Sequence, residues 1–273
     1  MQALAKLQKV VAQRHDHAQG WKQRTGGRVV GYLCTYVPEE VLYAAGVLPV
    51  RVMGSHEVQD VTEAHISSMW CPFCRDCLAQ GLQGRYEYLD GLVLANACHH
   101  IHHTYESWVR HVPTDYHYEM YFPPNVQMPL AKGCLTGEIQ EFQASIERWL
   151  GHAIQPQDME RAIGVYNTNR LLLRRLYELR KQDPPPITGA EVMEVVLASM
   201  FMDKAEHNQI LEKLLSELPA RQGAIASGTR LMVIGAETDD VDFLRFTESL
   251  GTNIVVDEHC VGSRYFWNEV VPD

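Results

Sequence analysis

The sequence predicts an α/β protein built on a parallel sheet, and three patterns lead to that prediction. Short apolar runs alternate with segments of helical periodicity through the first half of the chain. From about Gly137 to Leu218 the periodicity is helical throughout. Strand signals then return at 231–235 and 254–256, with a helical pattern over 240–250 between them.

Four apolar runs in the first half are predicted to be parallel strands separated by helices. The predicted strands are 28–33, 47–53, 89–95 and a run near 115–121. The predicted helices are a leading one within 1–27, then 38–46, 71–82 and 99–111. We therefore expect residues 28–136 to form a flavodoxin-like domain behind the leading helix.

The second half is predicted to be a helical segment over 137–227, followed by the beginning of a second α/β domain over 228–273. Three prolines at 184–186 end one helix, and Thr188 begins a long one that runs towards Leu218. Two strands with one helix between them cannot bury both faces of a sheet. We therefore expect the last domain to be incomplete in this chain.

Composition and charge argue against several classes of function. A formal net charge of −10 argues against nucleic acid as a partner. No run approaches the roughly 18 apolar residues of a membrane span, and the N-terminus lacks a signal-peptide core. Seven cysteines, an odd number, indicate reduced thiols or metal ligands, so we expect a cytoplasmic protein. Neither the P-loop pattern nor the dinucleotide fingerprint occurs.

Cys71, Cys74 and Cys77 lie within seven residues of one another. On a helix, steps of three place these thiols within about a third of the circumference. The spacing is similar to the start of a ferredoxin ligand run, although Gly81 stands where a fourth cysteine is expected. A metal or cluster is favoured, while packing of some of these thiols as small apolar side chains stays open.

Cys98 directly follows the predicted strand 89–95, and ligands bind at this end of the strands in open α/β sheets. Six of the 13 histidines follow closely, at positions 99, 100, 102, 103, 111 and 117. A zinc site and a solvent-facing helix surface are both alternatives here. The predicted buried stripe of this helix is Ile101, Tyr105 and Trp108. That leaves His99, His102 and His103 accessible, and we expect at most one functional histidine.

Cys260 repeats the arrangement of Cys98, because it lies just beyond the strand at 254–256. Gly262 allows close approach of the backbone, and Arg264 offers a fixed charge. Thiolates from Cys98, Cys260 and the 71–77 group could hold three irons of a cubane and leave the fourth iron open. The basic residues Arg170, Arg174, Arg175, Arg180 and Lys181 are interpreted as a solvated helix face. Cys34 and Cys134 are interpreted as packing or loop thiols.

Several segments resemble the benzoyl-CoA reductase/2-hydroxyacyl-CoA dehydratase family. They are 36–40, 44–50, 71–73, 89–91 and the Cys98 that follows a strand. The segments 71–79 and 257–267 are similar to those of the larger of the two substrate-handling subunits of the ATP-dependent reductases. The resemblance runs from about Gly31 to the end of the chain, and family members continue beyond that point.

The resemblance implies an iron–sulfur subunit with a 4Fe–4S cluster on Cys71, Cys98 and Cys260, with Cys74 and Cys77 as alternates. It implies a sister substrate-handling subunit and ATP-hydrolysing activator subunits that pass on electrons from ferredoxin. The implied reaction is the single-electron dearomatisation of benzoyl-CoA, or a related thioester, to a cyclohexadienoyl-CoA in anaerobic aromatic degradation. That reaction needs a proton donor, for which His99 and His102 are the candidates.

Two other hypotheses stay open at this point. A 2-hydroxyacyl-CoA dehydratase subunit would use the same ketyl radical chemistry without net reduction. A non-catalytic scaffold would instead hold zinc through Cys71, Cys74, Cys98 and a histidine. Iron and acid-labile sulfide separate the scaffold from both enzymes.

Overall fold

The computed structural model describes residues 1–271, so the last two residues of the predicted part 228–273 lie outside the described residues. The described helices are α1 (Gln2–Ala12), α2 (Arg14–Thr25), α3 (Glu39–Ala44), α4 (Pro72–Leu82), α5 (His99–His111), α6 (Ala131–Leu150), α7 (Pro156–Leu179), α8 (Gly189–Ser199), α9 (Lys204–Glu217), α10 (Val241–Ser249) and α11 (Ser263–Phe266). The strands are β1 (Val29–Leu33), β2 (Leu48–Arg51), β3 (Gly91–Ala95), β4 (Tyr116–Met120), β5 (Thr229–Ile234) and β6 (Thr252–Glu258). The predicted α/β class is confirmed.

The chain divides into two compact units. The central unit is Ala18–Ala162, and the terminal unit combines Met1–His17 with Ile163–Asp273. The division falls within α2 and within α7. The four-part division predicted from the sequence, 1–27, 28–136, 137–227 and 228–273, stays a prediction.

The central unit contains a four-stranded parallel sheet in the order β2-β1-β3-β4. The first three strands are buried along their whole length, as expected for strands covered on both faces. The chain passes from β1 outwards to β2 and returns to place β3 on the other side of β1. This reversal creates a crevice at the carboxyl ends of β1 and β3, where α/β proteins bind ligands.

Alternate residues of the central strands form a core with α3 and α6. Val30, Tyr32 and Val93 pack in one cluster with Leu42 of α3 and Phe142 of α6. Helices α4 and α5 also pack against each other in this unit. That contact is closest at Gly81, where a Cβ atom would lie 2.6 Å from the ring of Trp108. A side chain does not fit there, which explains why the position expected for a fourth cysteine is a glycine.

Two predicted helices are each broken into two. The leading helix is α1 followed by α2, because Gln13 leaves the helical region with φ −119°. The prediction of one long helix from Thr188 towards Leu218 is wrong. The chain breaks after Ser199, and Asp203 starts α9 by accepting hydrogen bonds from the amides of Ala205 and Glu206.

Helices α6 and α7 are the longest, with 20 and 24 residues. Helix α6 begins at Ala131, ahead of the predicted start of the helical segment at Gly137. Both helices carry charged residues along their length. Among residues 1–271, no helix combines the length and apolarity that a membrane span requires.

The terminal unit packs its helices around α8, which contacts α1, α9 and α10. Helix α8 is apolar and buried almost throughout, and it begins with a capping box between Thr188 and Glu191. Strands β5 and β6 pair in parallel with a register shift between Leu231 and Met232. Helix α8 also contacts β6, so this strand lies against the core of the unit.

A buried ion pair fixes the end of β6. The Arg180 guanidinium donates to Asp257 Oδ2 at 2.6 Å and to the Ile254 carbonyl at 2.9 Å. Tyr177 donates to the other oxygen of Asp257. Burial opposes the charge of Arg180, but Asp257 and Tyr177 outweigh it and raise its pKa. The interpretation of Arg180 as part of a solvated helix face is therefore wrong, because its partner carboxylate draws it into the core.

Replacing Asp257 by asparagine is expected to destabilise the protein strongly. Asp257→Asn leaves Arg180 as a buried charge without its carboxylate, which costs on the order of 3–5 kcal/mol of unfolding free energy. Chemical denaturation measures this loss. Asp242→Asn is the matched control, because Asp242 pairs with Arg245 at the surface, and its loss should cost under about 1 kcal/mol. Equal losses in the two variants would contradict the argument.

His207 is a second buried titratable group of the terminal unit. Its Nε2 donates to the carbonyl of Val195 at 3.0 Å, and its Nδ1 accepts from the Asn169 amide at 2.8 Å. Burial, together with the nearby charge of Lys204, lowers the pKa of His207 to about 3. The folded protein therefore keeps this imidazole neutral where an exposed histidine is charged.

The free energy of unfolding is expected to fall as the pH drops below about 6.5. The unfolded chain protonates His207 near pH 6.5, whereas the folded protein does so only near pH 3, so acid favours unfolding. The loss between pH 6.5 and 5 should be about 2 kcal/mol. His207→Gln keeps a donor and an acceptor but should remove this slope. His152→Gln, at an exposed position, should retain it, and denaturation curves at several pH values make the comparison.

Candidate functional site

Cys71 is the N-cap residue of α4 and its side chain is half-buried. Its backbone amide donates to Nδ1 of His100 at 2.9 Å. The ring of His100 also meets Trp70 edge-on, with 4.6 Å between centroids. The start of α4 is thereby tied to the first turn of α5.

Cys98 is the N-cap residue of α5 and is exposed. It follows β3 after two residues, at the carboxyl end of the sheet, as predicted. The first turn of a helix has amides without partners inside the helix and carries the positive end of its dipole. Both Cys71 and Cys98 thus lie where a thiolate is favoured.

Cys74 and Cys77 face the interior. Both are buried, and the Cys77 thiol donates to the carbonyl of Val52 at 3.7 Å. The backbone carbonyl of Cys74 accepts from the Thr104 hydroxyl at 3.1 Å, which adds to the contact between α4 and α5. Their use as alternate metal ligands stays a prediction, and their burial favours the packing interpretation.

Asp76 holds α4 to the loop after β2. Its carboxylate accepts from the amides of Ser55 at 2.8 Å and His56 at 2.7 Å. A Cβ atom on Gly54 would lie 2.2 Å from that carboxylate, so only glycine allows the loop to approach. Sequence reasoning did not identify this residue, although it stands inside the cysteine-rich segment and orients the helix that begins at Cys71.

His102 and Glu119 form a pair at the carboxyl edge of the sheet. Nδ1 of His102 lies 2.7 Å from Glu119, which also accepts from the side-chain amide of Asn96 at 2.8 Å. A hydrogen bond from Tyr121 to the same carboxylate raises the pKa of that tyrosine. His99 is exposed at the start of α5.

Sequence reasoning missed Glu119 and Asn96. Both follow from the rule that residues ending parallel strands meet at one edge, because Asn96 comes just after β3 and Glu119 nearly ends β4. The predicted buried stripe of Ile101, Tyr105 and Trp108 is confirmed. Histidines 102 and 103 are half-exposed, as expected for accessible faces of α5.

Cys260 lies in a short turn after β6 in the terminal unit. Its amide donates to the Ala236 carbonyl at 2.8 Å, and the hydroxyl of Ser263 donates to the carbonyl of Asp257 at 2.6 Å. A Cβ atom on Gly262 would lie 2.2 Å from Asp257 Oδ1, so the predicted close approach at this glycine is confirmed. The buried carboxylate of Asp257 thus holds both the strand end and the turn.

Arg264 places a positive charge beside Cys260. Its Nη1 lies 3.7 Å from the Cys260 sulfur, and Nε and Nη2 donate to the two oxygens of Glu258 at 3.0 and 2.6 Å. The guanidinium lowers the pKa of Glu258. Burial lowers the pKa of the neighbouring His259. A cavity of about 460 Å³ adjoins this group and is lined by Tyr177, Lys181, Val256, Arg264 and Trp267, among others.

The predicted ligands are divided between the two units. Cys71 and Cys98 belong to the central unit and Cys260 to the terminal unit, so the convergence of the three thiolates stays a prediction. Within the described residues of each unit, no group of three or more His, Cys, Asp or Glu side chains is arranged to hold a metal ion. The donors themselves fit iron–sulfur chemistry, because all three are thiols outside disulfides and soft thiolates hold such clusters.

A family model described as 2-hydroxyglutaryl-CoA dehydratase, D-component, matches residues 34–273. A benzoyl-CoA reductase subunit of Thauera aromatica is 28% identical over 258 residues, which are 93% of this chain and 67% of that protein. The (R)-phenyllactyl-CoA dehydratase beta subunit of Clostridium sporogenes is 26% identical, over 89% of this chain and 65% of that protein.

The beta subunit of (R)-2-hydroxyglutaryl-CoA dehydratase from Acidaminococcus fermentans is 27% identical, over 96% of this chain and 70% of that protein. The chain therefore spans about two thirds of the length of these relatives. Its particular likeness to the larger substrate-handling subunit of the reductases stays a prediction. The family match covers most of the chain, and the chain therefore belongs to the 2-hydroxyglutaryl-CoA dehydratase D-component family, which confirms the resemblance seen in the sequence.

Proposed function

We propose that the chain is an iron–sulfur subunit of an ATP-dependent benzoyl-CoA reductase, with a 4Fe–4S cluster held by Cys71, Cys98 and Cys260. The observation that carries the proposal is the pair of cysteine N-caps. Cys71 and Cys98 begin two helices of one unit, and the amide of Cys71 donates to His100 in the first turn of the second helix. Neither cysteine makes a side-chain capping hydrogen bond, so both thiols are available as ligands.

The residues around these cysteines have roles that suit such a cluster. When bound, a 4Fe–4S cluster supplies single electrons at a potential set by charge, hydrogen bonding to sulfur and exposure. The positive ends of α4 and α5 favour thiolates at Cys71 and Cys98. The half-buried carboxylate of Asp76 anchors α4 and so holds Cys71 in place.

His102 is the proton donor that we favour over His99. Its Nδ1 faces Glu119 at 2.7 Å, which orients the ring and gives it a carboxylate partner. Asn96 donates to the same carboxylate and so holds Glu119 in position. A histidine held in this way can carry a proton at the carboxyl edge of the sheet, where substrates of α/β proteins bind.

The proposal includes partners that complete the enzyme. A sister substrate-handling subunit would share the thioester, and ATP-hydrolysing activator subunits would deliver electrons from ferredoxin. ATP would bind those partners, since this sequence contains no P-loop pattern. We place the complex in the cytoplasm of an anaerobic cell.

A 2-hydroxyacyl-CoA dehydratase subunit is the second candidate function. The matching family model and two of the relatives above carry dehydratase names. The one sequence feature that favoured the reductase was the additional pair Cys74 and Cys77, and both are buried in helix packing. Both candidates use the same cysteine ligands, so the first test is for the cluster.

Anaerobic reconstitution is expected to load the chain with about four irons and four acid-labile sulfides, the content of one 4Fe–4S cluster. Cys71→Ser, Cys98→Ser and Cys260→Ser should each lose most of this iron, because each removes a thiolate ligand. Cys134→Ser, at an exposed position of α6, is the control and should keep it. Bound zinc without sulfide would favour the scaffold hypothesis and contradict the cluster.

The second test separates the reductase from the dehydratase. The complex with its sister and activator subunits should consume electrons in proportion to the benzoyl-CoA converted, because each ring reduction retains the electrons in the product. A dehydratase returns its electron and should turn over 2-hydroxyacyl-CoA with only catalytic amounts of reductant. Stopped assays that measure reductant oxidised against thioester product decide between the two.

A further inference from the structure

Two consecutive carboxylates at the end of β6 each hold an arginine. Asp257 binds Arg180 in the interior, and Glu258 binds Arg264 at the surface. Successive side chains of a strand point to opposite faces, which explains the two directions. The buried pair fixes the strand end, whereas the second pair lies beside Cys260, and its geometry is not explained by stability.

Glu258 orients the Arg264 guanidinium with respect to Cys260. Nε and Nη2 donate to the two carboxylate oxygens at 3.0 and 2.6 Å, which fixes the plane of the fork. The remaining nitrogen, Nη1, then faces the Cys260 sulfur at 3.7 Å. Arg264 is the fourth residue after Cys260, within the short helix α11, so one turn of the backbone carries both groups.

We propose that Arg264 is a positioning residue that donates a hydrogen bond to the Cys260 thiolate and makes the bound cluster easier to reduce. The inference rests on the proposed function, because it takes Cys260 as a cluster ligand. Reduction adds one negative charge to the cluster and its thiolates. A nearby positive charge and an N–H group directed at sulfur stabilise the reduced state more than the oxidised state.

The role depends on the fork shape of arginine and on Glu258. A lysine at position 264 would keep the charge but would have no planar fork to bind Glu258 and face sulfur at the same time. Loss of the Glu258 charge would leave Arg264 without the partner that orients it. Arg264 and Glu258 are both partly exposed, so their ion pair contributes little to folding, and variants should remain folded.

The test is an anaerobic redox titration of the reconstituted chain followed by electron paramagnetic resonance. At a fixed applied potential, Arg264→Gln should lower the ratio of reduced to oxidised cluster about tenfold, which is about 59 mV for a one-electron couple. Glu258→Gln and Arg264→Lys should shift the ratio in the same direction by less. Arg221→Gln is the matched control, because Arg221 pairs with Glu191 at a similar exposure away from any cysteine.

The outcomes distinguish this inference from the proposed function. A cluster of unchanged potential in all of these variants would show that Arg264 only braces the turn, and would overturn the inference while leaving the cluster proposal standing. A wild-type chain without iron and sulfide would overturn the proposed function and this inference with it. If Arg264→Gln fails to retain iron, the shift in Arg264→Lys and Glu258→Gln decides.

Discussion

The unsatisfied amides at helix N-termini are the constraint on which the candidate site depends. Most helix starts in globular proteins are capped by a short polar side chain. Here Thr188, Asp203 and Asp240 cap α8, α9 and α10 in this way. Helices α4 and α5 begin instead with Cys71 and Cys98, neither of which makes a side-chain capping bond. The terminal unit therefore caps its helices for stability, whereas the central unit begins two of its helices with thiols.

This choice links local backbone physics to chemistry. A thiol is a weak acceptor, so a cysteine N-cap stabilises its helix less than serine or aspartate would. The central unit compensates by other contacts at the same place. Asp76 binds the loop after β2, and His100 accepts the amide of Cys71. The helix starts are thus held by neighbouring residues, which leaves the sulfur atoms available for a ligand.

The sequence predicted features that depend on local periodicity and missed those that depend on distant partners. The helix His99–His111 and the strands around Gly91–Ala95 follow from apolar spacing, and they were predicted within a residue or two. The break between α8 and α9 was missed, because Met200, Phe201 and Met202 are apolar and continue the helical pattern. Arg180 was misread for a related reason. Its partner Asp257 is 77 residues away, and nothing near Arg180 in the sequence indicates that it is buried.

The cysteine spacing shows the same limit more sharply. Steps of three predicted that Cys71, Cys74 and Cys77 share a helical face, but spacing alone does not tell which thiols that face buries. In the folded unit Cys74 and Cys77 point into the packing between elements, and Trp108 occupies the space beside Gly81. The helix therefore presents a single thiol, at its first residue. The other ligands of any cluster must come from other chain segments, and this is why residues such as Glu258 and Arg264, which shape the surroundings of Cys260, matter as much as the cysteines.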